Sequence, residues 1–143
     1  MKKILLMAMM MIGCMTTAIA QKPAEIKFDE LTHNFGTVEV LCNAEGTIKS
    51  LKDGSPAVLV CSFSFTNAGE QPLVVNQALA SCGCTVAEYT KTPIQPGEKG
   101  EVKVTYNGEA KFAGHVKKSI TIRANGAVEM TRLYIEGDMV EVK

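Results

Sequence analysis

The residues with the most chemical potential stand in one short stretch, Ser81-Cys82-Gly83-Cys84-Thr85. Two thiolates one residue apart are soft ligands suited to Cu(I) or Zn(II). A closed site would need further donors from His33, His115, Cys42 or Cys61. The spacing is C-x-C, whereas zinc modules and thiol-redox centres commonly use C-x-x-C. A third reading is structural: Gly83 lets the backbone turn, and two small side chains pack or bridge at the end of a fold. His33 is most simply a hydrogen-bonded residue at a strand end, and His115, beside Lys117 and Lys118, a surface residue. Asp53 and Glu70 fall in turn-like segments where solvated acids are ordinary, and no G-x-S-x-G context supports a nucleophile.

Four of the five cysteines lie beyond residue 20, and an even number in an exported chain favours disulfides. Cys42 and Cys61 flank a little-patterned segment that carries an Asp53-Gly54 turn signal. A hairpin turning there would set their strands side by side. In an extended chain the side chains of Cys82 and Cys84 diverge, so their direct pairing needs a tight turn at Gly83. The expected bridge is therefore Cys42–Cys61, with Cys82 and Cys84 left as thiols for packing or for metal.

The elements that must position these residues read as strands. Leu59, Cys61, Phe63 and Phe65 alternate with Val58, Val60, Ser62 and Ser64, and the first set is expected to face the core. Val102, Val104 and Tyr106 alternate likewise, as do Ile120 with Ile122 and Leu133 with Ile135. Ile26 to Phe28, Thr32 to Val40 and Leu73 to Ala78 are further strands, with Gly36 marking a bulge or kink. Asn67 to Pro72, Asn107-Gly108 and Asn125-Gly126 are turns by composition. Val86 to Gly100, punctuated by Pro93, Pro96, Gly97 and Gly100, reads as an ordered loop. No helical period of useful length appears after residue 20. About seven short strands predict an all-β, immunoglobulin-like antiparallel β-sandwich, one domain over residues 21–143 with an insertion at about 41–56.

The N-terminus reads as a signal peptide, residues 1–20. Lys2 and Lys3 precede an apolar run from Ile4 to Ile12, and Ala18-Ile19-Ala20 is a small-x-small cleavage site that would expose Gln21. The alternative is a lipid anchor on Cys14, which follows Gly13 but has Met11 where a lipobox takes Leu. The leader places the protein in the periplasm or outside the cell, and no later run is long enough for an integral membrane segment. The full chain has 15 basic and 15 acidic residues, with no basic stripe of the kind nucleic acid requires.

Several of these motifs, in this order, resemble the bacterial domain of unknown function 1573. They are His33-Asn34-Phe35-Gly36, the run from Phe63 to Leu73 with Asn67-Ala68-Gly69 and Pro72-Leu73, Ser81 to Thr85, Pro93, Pro96-Gly97-Glu98, Gly100 and Val102 to Tyr106. The resemblance runs from about His33 to the C-terminus. It implies an exported immunoglobulin-like sandwich, similar to domains of ciliary and spindle proteins, without a settled activity. The chain departs from the pattern at Asn34, where Asp is usual, and at Tyr89, where Trp is common. A further departure is the insertion between Val40 and Pro56 that contains Cys42.

Two functions follow as expectations. One is a non-enzymatic binding or structural module of the cell envelope, contacting an envelope protein or a glycan and needing no cofactor. The other is a copper- or zinc-handling protein that uses Cys82 and Cys84.

Overall fold

A computed structural model describes residues 20–143; residues 1–19 of the proposed leader, Cys14 included, lie outside them. Among the described residues nine strands follow one another: β1 (Ile26–Phe28), β2 (Thr32–Cys42), β3 (Ile48–Leu51), β4 (Val58–Asn67), β5 (Val75–Ala80), β6 (Thr85–Tyr89), β7 (Lys99–Asn107), β8 (Gly114–Ala124) and β9 (Met130–Glu141). They form a four-stranded sheet, β1-β4-β7-β6, and a five-stranded sheet, β3-β2-β9-β8-β5. All pairings are antiparallel except that of β2 with β9.

Period-two patterning explains the layers. Phe63, Phe65, Val102 and Val104 from one sheet meet Ile120, Ile122, Leu133 and Ile135 from the other, all buried. Val58, Val60, Ser62 and Ser64 point outward, as the alternation requires. Gly36 does mark a bulge: its φ is +70°, its N–H donates to Asn34 Oδ1 at 2.7 Å, and the β2–β9 register shifts there.

Two local expectations are corrected. Residues 86–89, read as loop, belong to β6, because Val86, Ala87 and Tyr89 complete a ladder on β7 and the prolines begin only afterwards. The insertion is a β2–β3 hairpin that reverses through Asn43–Thr47, where Asn43 Oδ1 accepts from the N–H groups of Glu45 and Thr47. The Asp53-Gly54 turn is real, with Gly54 at φ +84° and Ser55 N–H bonded to Asp53 Oδ1, but it carries the chain from one sheet to the other.

Asn67 is a polar residue in the core, 1% exposed. Its Nδ2 donates to the carbonyls of Gln71 (2.7 Å) and Ile94 (2.9 Å), and its Oδ1 accepts from the N–H groups of Glu25 (3.3 Å) and Gly69 (3.0 Å). One amide thus ties the N-terminal segment, the 67–72 turn and the proline loop together. That loop holds the motif residues Pro93, Pro96 and Gly97. Gln95 to Glu98 forms a type II-like turn with Pro96 and Gly97 (φ +83°) at its centre, and Glu98 N–H donates to Gln95 O. Pro93 precedes Ile94, whose backbone exchanges hydrogen bonds with Leu73.

Candidate functional site

The Cys82–Cys84 stretch is the crossover between sheets, joining β5 of the five-stranded sheet to β6 of the four-stranded one. A chain that reverses here cannot stay extended. Thr85 N–H turns back onto Cys82 O (3.3 Å), and the two cysteine Cα atoms come to 5.4 Å. Cys82 and Cys84 are joined as a disulfide. Both are half-buried, and Thr85 beside them is buried.

This corrects the expected pairing. Cys42 and Cys61 are free thiols, because β2 and β4 belong to different sheets and β3, not β4, pairs with β2. Burial pushes the Cys61 thiol up to about 11, with the Glu30 charge adding to it. Cys42 is also raised, by desolvation first and then by Glu141. Neither has the character of a reactive thiolate. Gly83 is corrected as well. Its φ lies outside the left-handed region, and a Cβ there would meet nothing within 4 Å, so the turn does not require glycine.

The metal reading fares differently at each residue. Two sulfurs bonded to one another are not thiolate ligands, so Cys82 and Cys84 could serve a metal only in a reduced chain. His33 sits on β2 with its Nδ1 3.4 Å from Glu30 Oε1 and its ring against Phe35 and Phe63, apart from the cysteine turn. Phe35 is half-buried beside it. His115 is exposed and pairs with Asp138 at 2.8 Å. Among the described residues, no three His, Cys, Asp or Glu side chains are grouped to hold an ion.

Around the disulfide the structure assembles residues that sequence reasoning did not single out. Cys82, Gly83 and Cys84 border a depression of about 320 Å³ whose other walls are Asn107, Glu109 and Lys111. Thr85 Oγ1 lies 3.6 Å from the Cys82 sulfur and 3.9 Å from that of Cys84. A bridged sulfur carries no proton, so in either contact the hydroxyl is the donor. The only signal for this role was the position of Thr85 directly after the C-x-C.

β6 itself is a sheet edge, paired on one side alone. Cys84 O accepts from Asn107 N–H (2.8 Å) and Thr90 N–H donates to Glu101 O (3.1 Å), which fixes the even-numbered residues as those bonded to β7. Ala87 and Tyr89 therefore turn their backbone N–H and C=O groups to the open side. Tyr89 also reaches across the sandwich, donating its hydroxyl proton to Asn76 O of β5 at 3.1 Å. On the outer face, Val60, Thr105 and Val86 stand in one cross-strand row, with both valines at least half exposed.

No curated protein matches this sequence significantly. Several solved structures share its fold. A protein of unknown function from Porphyromonas gingivalis W83 aligns with a TM-score of 0.58 at 13% identity, over 80% of this chain and 46% of its own. The secreted serine protease VesC from Vibrio cholerae aligns at 0.55 and 12% identity, over 82% of this chain and 24% of its own. A PapD-like domain of human CEP192 aligns at 0.57 and 10% identity, over 85% and 89%. This chain thus spans less than half the length of the first two, and at such identities the likeness shows a PapD-like sandwich fold and nothing of activity. The sequence profile of one family, described as protein of unknown function (DUF1573), matches residues 26–139, nearly the whole of the described chain, and the protein belongs to that family.

Proposed function

We propose that this protein is an exported, non-enzymatic binding module of the cell envelope that recruits an extended segment of another envelope protein to the free edge of β6. The observation that carries the reading is that edge: Ala87 and Tyr89 offer unpaired backbone groups beside the exposed Val86 and Val60. Strand addition takes its affinity from main-chain hydrogen bonds and its specificity from alternate side chains, so an apolar, β-branched segment fits this edge. The other edges suit this less well. β1 has 3 residues, β3 is partly covered by Lys111 and Ala110, which bond to Ile48, and β5 is bulged at Asn76.

The test is site-specific photo-crosslinking in the exporting cell, with the crosslinker at Val86 on β6 and, as a control, at Lys27 on β1. A discrete adduct from Val86 alone, lost in Ala87→Pro, supports the reading. Equal adducts from both positions, or none from either, reject it. Mass spectrometry of the same preparation checks export, with Gln21 expected as the first residue and a lipidated Cys14 as the contrary result.

A further inference from the structure

We propose that the Cys82–Cys84 disulfide is a thiol–disulfide exchange site, whose substrate is a pair of thiols on an extended peptide lying along β6. The proposal rests on the open-edge reading for its substrate, but its chemistry stands on the turn alone.

Three observations converge. First, the bridge is half-exposed at the border of an open depression, with Lys111 and Asn107 among its other lining residues and Glu109 opposite in charge. Second, a buried hydroxyl is placed to donate to either sulfur. Thr85 faces inward from β6, opposite Tyr106 in the ladder, with Oγ1 within 4 Å of both sulfur atoms. Whichever sulfur leaves, its new charge meets the same donor. Third, residue 83 is a glycine that the backbone does not need, and a side chain there would stand in the mouth of the depression. A strand added to β6 would run directly past the bridge, because β6 begins at the residue after Cys84.

The step balances without an added oxidant, since the disulfide is the electron acceptor. A substrate thiolate, its proton lost to solvent, attacks one sulfur of the bridge. The Cys82–Cys84 bond breaks, a mixed disulfide forms, and the departing sulfur keeps the electron pair as a thiolate that accepts from Thr85 Oγ1–H. The second substrate thiolate then attacks the substrate sulfur of the mixed disulfide and releases the other cysteine. Two electrons have passed to the protein, the substrate holds a disulfide, and Cys82 and Cys84 take up protons as thiols.

The experiment uses purified mature protein with two probes: reduced glutathione, and a synthetic Val/Thr-rich peptide carrying two cysteines. Alkylation and peptide mapping read Cys82 and Cys84, while circular dichroism monitors the fold. Both cysteines should become alkylatable with the fold retained, and the peptide should be oxidised in equal amount. Thr85→Val should slow exchange with both probes about tenfold, the effect of one hydrogen bond to a developing charge, with Thr85→Ser restoring the rate. If Thr85→Val does not fold, Gly83→Phe serves instead and should slow the peptide by blocking the mouth. Ala87→Pro should slow the peptide but not glutathione. If it slows neither, the edge reading fails and the exchange site stands. A bridge that neither thiol reduces until the protein is unfolded, or rates unchanged in both Thr85→Val and Gly83→Phe, overturns the proposal and leaves a structural staple.

Discussion

Replacing Asn67 with alanine removes four hydrogen bonds at one buried point. The partners are the carbonyls of Gln71 and Ile94 and the N–H groups of Glu25 and Gly69, in three segments of the chain. At about 1 kcal/mol for each intramolecular bond, Asn67→Ala should cost about 4 kcal/mol. Domains of this size have only about 5–15 kcal/mol in hand, so the melting temperature should fall by on the order of 15 °C. Urea denaturation followed by circular dichroism gives the free energy directly. Asn67→Asp separates the two halves of the interaction. It keeps an acceptor for Glu25 and Gly69 but turns an oxygen toward two carbonyl oxygens. That repulsion raises the pKa of the new carboxyl above its unfolded value, so stability should be lost as pH rises through the folded pKa and recovered on acidification. A loss below about 1 kcal/mol for Asn67→Ala, or an Asn67→Asp variant indifferent to pH, would refute the reasoning that this amide organises the turn, the proline loop and the N-terminal segment.

Gly69→Ala should destabilise strongly, because a Cβ there would run into the Pro23 carbonyl oxygen and come within 2.7 Å of Ala24 Cα and Glu25 N; Gly83→Ala, facing open space, should leave the melting temperature unchanged in the same scan. Phe63→Ala should cost about 3–5 kcal/mol in the same denaturant assay, as Phe63 is fully buried between the sheets. Cys61 predicts an alkaline limb to stability. Its folded pKa of about 11 lies above the reference value of 9.0, so between those values the unfolded chain ionises while the folded thiol does not. Stability should therefore be full below pH 9 and decline as pH rises toward 11, and Cys61→Val should flatten this decline in a pH series of thermal melts.

Much of the fold was legible because it rests on local rules. Alternation alone assigned Phe63, Phe65, Val102, Val104, Ile120, Ile122, Leu133 and Ile135 to the inside, since successive side chains on a strand must point oppositely. Gly36 as a bulge, and an ordered loop around Pro93, Pro96 and Gly97, followed from backbone preference. The ordered motifs pointed to the family that the profile then matched over residues 26–139. β6 was less legible, because five strand residues followed by a proline loop carry little pattern of their own.

What only the tertiary structure decided is which strands are neighbours. Nothing in the patterns of β2, β3 and β4 says which sheet each joins, yet that choice separates Cys42 from Cys61. The same choice forces the chain to cross between sheets after β5, and this reversal, not the conformational freedom of Gly83, folds Cys82 back onto Cys84. Sequence spacing fixes how far apart two cysteines are along the chain. Distance through space is set by the path between sheets, which the whole core determines.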